Sequence, residues 1–81
     1  MGKREQRRQA VTAAAARHGL TVQPQRPNLW TLHGGSDYRG LLCFRERAQL
    51  YLVERESGER TASPDLDACI RFLTVAPETL P

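Results

Sequence analysis

The first part of the chain is rich in residues that favour helices and poor in large apolar side chains. The stretch Lys3–His18 consists mainly of Arg, Gln, Glu and Ala, and Gly19 then suits the left-handed turn that ends a helix. From Val11 onward, small and apolar residues recur on one side at helical spacing. This pattern predicts a first helix, with Leu20 packing back on Ala15 beyond its end.

The pattern then changes to short apolar blocks separated by turn-forming residues. Leu20–Gln23 alternates apolar and polar positions, which predicts a brief strand ended by Pro24. The blocks Leu29–His33 and Tyr38–Phe44 flank the turn formers Gly34–Asp37, and this arrangement indicates a hairpin. The middle of the chain is therefore predicted to form antiparallel strands.

Residues 38–56 allow two interpretations, a second hairpin or a single helix. Two apolar tetrads, Leu41–Phe44 and Leu50–Val53, are separated by five mostly polar residues. Gly40 near the start, together with Cys, aromatic and branched residues in short blocks, favours strands, so we predict a hairpin. A two-residue turn signal at 57–58 then precedes a short edge strand.

A second helix is predicted near the C-terminus. Ser63 can cap it, Pro64 suits its first position, and acidic residues in its first turn match the helix dipole. Apolar residues follow at helical spacing over Leu66–Leu73. Pro77 ends the pattern and begins a tail over residues 77–81.

The order of these elements predicts one small α+β domain over residues 1–81. The domain has an N-terminal helix, an antiparallel sheet of about four strands and a C-terminal helix, with both helices packed on one face of the sheet. A chain of 81 residues can bury only a small core. We therefore do not expect a large catalytic pocket.

Composition narrows the function classes further. No apolar run reaches the ~18 residues of a membrane-spanning helix, and no apolar segment follows the charged start as in a signal peptide. We therefore expect a cytoplasmic protein of a bacterial host. Cys43 and Cys69 are too few and too far apart for a disulfide scaffold or a zinc site, so we expect no metal and no cofactor.

Positive charge is concentrated at the start of the chain. The sequence has 12 Lys and Arg residues against 9 Asp and Glu, and residues 1–19 carry five of these cations against one carboxylate. All the cations except Lys3 are Arg. Arginine suits recognition of phosphate or carboxylate groups, although the codon bias of a GC-rich genome also enriches it.

The cations at the start of the first helix form the candidate partner-binding site. We expect residues 1–8 to overhang the domain, which would leave these side chains free for a partner. Two alternatives are that the arginine stems lie along the rim of the core and that the helix start is merely solvated. Counting one secondary contact on a strand, the expected partner-binding residues are Lys3, Arg4, Arg7, Arg8 and Arg39.

The chain has two histidines, and they lie on different predicted elements. His18 suits the role of a cation at the C-terminus of the first helix. His33 lies on a predicted strand before a Gly-Gly turn and is the runner-up for a catalytic residue. The helix–strands–helix order with a strand histidine resembles the small bacterial toxin ribonucleases that share a double-stranded-RNA-binding fold. Those toxins carry a Gly-Ser-His run, whereas this chain reads Thr31, Leu32, His33, so the resemblance extends to His33 alone.

Binding of single-stranded RNA on one face of the sheet is a further alternative. It requires aromatic and basic side chains on one exposed face. Simple strand alternation places Arg39 and Arg45 with Leu41, and it places Tyr38 on the other face with Leu42. The candidate residues for such a surface are Tyr38, Tyr51, Arg39, Arg45 and Arg55.

The small, arginine-rich chain with a predicted hairpin over residues 51–62 and a helix over Leu66–Leu73 resembles the stoichiometric inhibitors of phages and mobile elements, of which the anti-CRISPR proteins are the best-known group. The resemblance implies a non-enzymatic protein that occupies a surface of a host protein or nucleoprotein complex. One alternative is an RNA-binding protein or toxin-type ribonuclease that uses His33. Another is a homodimeric structural module that pairs basic first helices with acidic second helices.

Overall fold

In the computed structural model, which describes residues 2–74, the chain forms two helices and one five-stranded sheet. The predicted α+β class and the order of elements are confirmed, and the sheet has five strands instead of about four. The predicted tail over residues 77–81 lies outside the described residues. In chain order the elements are α1 (Lys3–Arg17), β1 (Thr21–Arg26), β2 (Leu29–Gly34), β3 (Asp37–Arg45), β4 (Leu50–Arg55), β5 (Arg60–Ser63) and α2 (Leu66–Thr74).

The sheet is an antiparallel meander in which each strand pairs with the next one in the chain. The predicted hairpin over residues 38–56 is confirmed as β3 and β4. β1 is longer than predicted because it continues through Pro24. An edge strand needs ladder hydrogen bonds on one side only, so it tolerates a residue without an N–H group.

Both helices pack on the same face of the sheet, as predicted. The buried sheet positions on this face alternate along the strands, and small residues of α1 allow that helix to approach them closely. α1 ends as predicted at Gly19, whose φ is +75°, and the Leu20 N–H donates to the Ala15 carbonyl over 2.8 Å. The buried core residues are Val11, Ala14, Ala15, Leu20, Trp30, Leu32, Leu42, Tyr51, Val53, Cys69, Ile70 and Leu73. We call the opposite side of the sheet, which neither helix covers, the open face.

An irregularity between β2 and β3 changes the direction of the side chains near the β2–β3 turn. Leu32 pairs with Gly40, but the next residue of β2, His33, pairs with Tyr38. Arg39 is therefore an extra residue in β3, which is the arrangement of a β-bulge. Beyond a bulge, simple alternation no longer gives the face of a side chain.

The bulge overturns two sequence expectations. Tyr38 does not share the face of Leu42, because its ring lies beside that of His33 on the open face, with 5.7 Å between the ring centroids. Arg39 does not share the face of Leu41 either. Its Nε atom is 2.9 Å from the position that a Cβ on Gly34 would take, and the Leu20 side chain borders the same position. Arg39 therefore lies on the helix side of the sheet.

At Arg4 and Arg7 the start of α1 is in contact with the rest of the domain, whereas this segment was expected to overhang it. Arg4 and Arg7 both reach Glu46, in the turn between β3 and β4. These ion pairs place the start of α1 beside the β3–β4 turn. The β1–β2 turn lies at the same end of the sheet, because alternate turns of a meander share one end. No helix within residues 2–74 is long and apolar enough to cross a membrane.

Candidate functional site

Three separate segments bring positive charge to one end of the sheet. The start of α1, the β1–β2 turn and the β3–β4 turn meet there, held by contacts of Asn28 and Glu46 with one another and with α1. Seven cations and only two carboxylates, Glu5 and Glu46, lie in these segments. We call the group the basic end, and its cations are Lys3, Arg4, Arg7, Arg8, Arg26, Arg45 and Arg47.

Arg7 is part of the fold and is not free for a partner. Its side chain is only 12% exposed, and its guanidinium lies 4.0 Å from the centre of the Phe44 ring, in a cation–π arrangement. Arg7 Nη1 also donates to Asn28 Oδ1 over 2.7 Å and lies 3.5 Å from Glu46 Oε2. The expectation that the four cations at the start of α1 are free for a partner therefore fails for Arg7, whose stem lies along the rim of the core.

Asn28 and Glu46 join the two turns to the helix. Asn28 adopts a positive φ of 65°, which Asn tolerates better than most residues. Its amide donates to Glu46 Oε2 over 2.9 Å, and its backbone carbonyl accepts a hydrogen bond from the Phe44 N–H. The hydrogen bonds from Asn28 and then from Arg4 hold the pKa of Glu46 below its ordinary value. Glu46 therefore stays ionised, and its charged contacts with Arg4 and Arg7 persist, to a lower pH than an ordinary glutamate would allow.

The other cations of the basic end are more exposed. Arg8 pairs with Glu5 one turn earlier on the same helix, and Arg4 Nε lies 3.3 Å from Glu46 Oε2 with its side chain 64% exposed. Within residues 2–74 the remaining four form no ion pair. These four exposed cations are Lys3, Arg26, Arg45 and Arg47.

A groove of about 310 Å³ lies between the start of α1 and the end of β1. Arg4, Arg8 and Arg26 line it, together with Glu5 and the proline-rich β1–β2 turn. Arginine binds carboxylate and phosphate groups through paired N–H donors, but Arg4 and Arg8 already pair with Glu46 and Glu5. Arg26 is the one arginine of the groove that forms no ion pair within residues 2–74.

The structure separates the sequence-predicted partner-binding residues into two groups. Lys3, Arg4, Arg7 and Arg8 lie at the basic end, whereas Arg39 lies beside the β2–β3 turn at the opposite end of the sheet. Sequence reasoning missed the contributions of the two turns, namely Arg26, Arg45 and Arg47. The order of strands in a meander could have revealed these residues, because it places the first and third turns between strands at the end of the sheet where α1 begins.

The two histidines have structural neighbours of different kinds. His18 Nε2 lies 3.0 Å from Asp67 Oδ1, and Arg17 also approaches this carboxylate, so the end of α1 is tied to α2. This contact with His18 lowers the pKa of Asp67. His33 Nε2 lies 3.2 Å from Thr31 Oγ1, and its ring packs against Tyr38. Within residues 2–74, no carboxylate forms an ion pair with His33 that would orient it as a catalytic base.

The residues considered for single-stranded RNA do not form one surface. Tyr51 is buried beneath the helices, and Arg55 donates to the Phe72 carbonyl and pairs with Glu59. Arg39 lies on the helix side of the sheet, as described above. Of the five candidates, Tyr38 and Arg45 remain on the open face.

Cys69 is fully buried, and burial raises the pKa of its thiol. Residues 2–74 contain no group of three or more His, Cys, Asp or Glu side chains that could hold a metal ion. Comparison of the chain with protein-family models, with curated proteins and with solved structures gave no match.

Proposed function

We propose that this protein is a non-enzymatic binding protein that occupies an anionic surface of a host protein or nucleoprotein complex through its basic end. This is the mode of action implied by the resemblance to anti-CRISPR-type inhibitors. The observation that carries the proposal is the meeting of seven cations from three chain segments at one end of the sheet, where only two carboxylates oppose them.

The arrangement of the basic end supports a ready-made binding surface. The helix start and both turns are fixed relative to one another by the contacts among Arg7, Asn28 and Glu46. The backbone that carries the exposed cations is therefore held in place. A surface that is organised before binding loses less conformational entropy on association. Concentrated charge of one sign also accelerates encounter with an oppositely charged partner.

The opposite end of the sheet does not share the excess of positive charge found at the basic end. The opposite end of the sheet carries both signs in similar number, with Asp37, Glu54, Glu56 and Glu59 against Arg39, Arg55 and Arg60. The excess positive charge of the chain therefore resides at the basic end. A general enrichment in arginine would raise the positive charge of both ends, so genome composition alone does not account for this asymmetry.

The decisive experiment reverses two cations that the fold does not use. Arg26→Glu with Arg47→Glu changes the basic end, and Arg60→Glu with Arg71→Glu makes the same change of charge at exposed positions elsewhere. Wild type and both variants are immobilised and incubated with bacterial host extract, with and without nuclease. We expect the Arg26/Arg47 variant to lose the components that wild type and the control retain, because each removed charge pair weakens complementary association.

Purified components then give the magnitude. We expect affinity to fall at least ~10-fold in the Arg26/Arg47 variant, which corresponds to about 1.4 kcal/mol. If the four exposed cations contact phosphates, the logarithm of affinity falls with the logarithm of salt concentration with a slope of about −3 to −4. Equal retention by the Arg26/Arg47 variant and by wild type would contradict the proposal, provided that the variant melts no lower than wild type.

A further inference from the structure

The open face carries an apolar patch that spans four strands. Its central row runs from Leu29 through Cys43 and Leu52 to Ala62, because each of these residues pairs with the next. None of the side chains of the patch belongs to the buried core that the helices cover. Contiguous apolar side chains on an uncovered face are a feature of surfaces that bind a partner. The apolar patch consists of Leu29, Leu41, Cys43, Leu50, Leu52 and Ala62.

The charges around the apolar patch are mostly positive. Arg26 pairs with Leu29 at the β1 end of the central row, and Arg45 belongs to the neighbouring row toward the basic end. Arg60 lies in the row on the other side, where it pairs with Glu54. Arg60 and Glu54 thus offset one another as cross-strand neighbours of opposite charge. The unbalanced positive charge lies at Arg26 and Arg45, which are both exposed and form no ion pair within residues 2–74.

The patch also has a depression that can receive a side chain. It measures about 210 Å³, and Leu41, Cys43 and Leu52 are among the residues that line it. An aliphatic side chain that enters the depression contacts these three residues and is removed from water. The open face therefore combines an apolar centre that has some relief with cations on the side of the basic end.

We propose that the open face binds an amphipathic α-helix of the partner, whose apolar stripe lies on the apolar patch and whose carboxylates lie beside Arg26 and Arg45. This inference rests on the proposed function and deepens it, because it identifies the anionic surface met by the basic end as part of an acidic protein. Arg26 and Arg45 belong to the basic end as well as to the open face, so the two surfaces are continuous.

The geometry of a sheet face favours a helix as the occupant. Strand pairing uses the backbone hydrogen-bonding groups of the inner strands, so a segment that lies on the face has to satisfy its own peptide groups. An α-helix does so internally. The patch spans four strands about 4.8 Å apart and three rows about 6.6 Å apart, which is an area of roughly 14 by 13 Å. One helix, about 10 Å wide with its side chains, covers most of it.

The charge pattern disfavours a second copy of the chain and nucleic acid. A second copy would bring the same unbalanced arginines to the interface, and like charges oppose association. Single-stranded nucleic acids require aromatic platforms within a positively charged groove. The aromatic pair of the open face, His33 and Tyr38, lies near carboxylates instead: burial raises the pKa of Tyr38, and the charges of Glu54 and Glu56 raise it further. A duplex presents mainly phosphates to a protein and would leave the leucines without an apolar partner.

The first test uses a designed peptide as the probe. It has about 18 residues, enough for a stable helix, with Leu at helical spacing and Glu beside the Leu stripe. We titrate it into the full chain labelled with ¹⁵N and follow the amide resonances. We expect shifts over the apolar patch and a dissociation constant of about 10–100 µM, because a contact of this size is weak. The absence of shifts on the open face up to about 1 mM peptide would overturn the proposal.

A second peptide separates apolar contact from charge. It keeps every Glu and has Gln in place of Leu, so it can still be attracted to the basic end. We expect it to bind at least ~10-fold more weakly, because the transfer of the leucines out of water is lost. Leu52→Glu in the protein should weaken binding of the first peptide by a similar factor. Equal affinities of the two peptides for wild type would overturn the proposal.

Charge reversal tests the same site without altering the apolar patch. Arg26→Glu with Arg45→Glu should raise the dissociation constant of the Glu peptide at least ~10-fold, and this variant should instead bind a peptide with Lys in place of Glu. Lys3→Glu with Arg71→Glu makes the same change of charge at exposed positions on the two helices and is the matched control. Equal weakening by both double variants would overturn the proposal. This comparison decides the question even if Leu52→Glu fails to fold.

The remaining occupants give different results. Displacement of the peptide by an oligoribonucleotide that shifts the same amides would assign the face to nucleic acid, and a doubled mass without peptide would assign it to a second copy. Either result would overturn the proposal. Failure of the peptide to bind, together with loss of host components by the Arg26/Arg47 variant, would remove this inference and leave the proposed function. Peptide binding by wild type with retention of host components by that variant would do the reverse.

Discussion

Arg7 shows how one side chain can belong to a charged stretch of sequence and still serve the core. It covers the Phe44 ring and donates to Asn28, whereas Arg8, one position later, extends along the surface to Glu5. Neighbouring arginines on a helix point about 100° apart, so one can face the sheet while the next faces water. The two residues provide a matched pair for experiment.

We expect Arg7→Ala to lower the free energy of unfolding by about 1–2 kcal/mol, since it removes a cation–π contact and leaves Asn28 Oδ1 without its donor. Arg8→Ala removes the same charge from an exposed pair and should leave stability nearly unchanged. Urea denaturation of both variants provides the measurement. Equal effects of the two substitutions would show that the Phe44 and Asn28 contacts do not stabilise the fold.

The ionisation of Glu46 makes the free energy of unfolding depend on pH, and the direction of its pKa shift gives the sign. Its pKa is lowered in the folded protein, so ionised Glu46 contributes stability above its unfolded pKa of about 4.3, and this contribution is lost as pH falls through the lower folded value. Glu46→Gln should therefore reduce stability at pH 7. The difference between wild type and variant should disappear at about pH 2, where both side chains are neutral. Urea midpoints at a series of pH values test this, and a constant difference would contradict it.

Helix α2 packs on the sheet against one glycine as well as against apolar side chains. Gly40 is buried in β3 beneath α2, and a Cβ added there would lie 2.5 Å from Leu73 Cδ2 and closer still to the carbonyl oxygen of Glu54. The absence of a side chain thus sets the distance between α2 and the sheet. Arg39, the extra residue of the bulge, comes directly before Gly40 in the chain. Close helix packing and strand irregularity therefore occur at adjacent positions.

Gly40→Ala should destabilise the protein by about 2–3 kcal/mol, because a backbone carbonyl cannot move away from the new methyl group without disturbing the β3–β4 pairing. Gly2→Ala is the control, since its Cβ meets no atom and the loss of Gly from the helix cap should cost at most ~1 kcal/mol. Thermal unfolding compares the two. A Gly40→Ala protein as stable as Gly2→Ala would indicate that α2 does not press on β3.

Charge is distributed unevenly over the molecule, and this asymmetry has a cost for the fold. The cations of the basic end repel one another, with Glu5 and Glu46 as the carboxylates that reduce the repulsion. Such repulsion is screened by salt over a Debye length of about 10 Å at 0.1 M. A surface kept for binding often retains local destabilisation of this kind.

Arg26→Glu should therefore raise stability at low salt while it weakens partner binding. The new carboxylate lines the same groove as Arg4 and Arg8 and reduces their repulsion. The gain should diminish at about 0.5 M salt because of screening. Urea midpoints at low and high salt measure the effect, with Arg71→Glu as the comparison. A loss of stability in Arg26→Glu at low salt would contradict this account of the basic end.

Local patterns of the sequence were sufficient to predict most secondary structure. The end of α1 follows from Gly19 and Leu20, and the strands follow from short apolar blocks between turn residues, because these preferences act over a few neighbouring residues. The α+β class and the packing of both helices on one face follow from the same information. One buried face for the sheet and one buried stripe for each helix require that arrangement.

Most of the errors concern the pairing of strands or contacts between residues that are distant in the chain. The facing of Tyr38 and Arg39 depends on a bulge in the pairing of β2 with β3, and a change of one residue reverses the faces. The role of Arg7 depends on Phe44 and Asn28, which the meander brings to the start of α1. Charge in a sequence is counted along the chain, but a surface is made by neighbours in space. The basic end, and with it the candidate site, therefore exists only once the turns have been brought together by strand pairing.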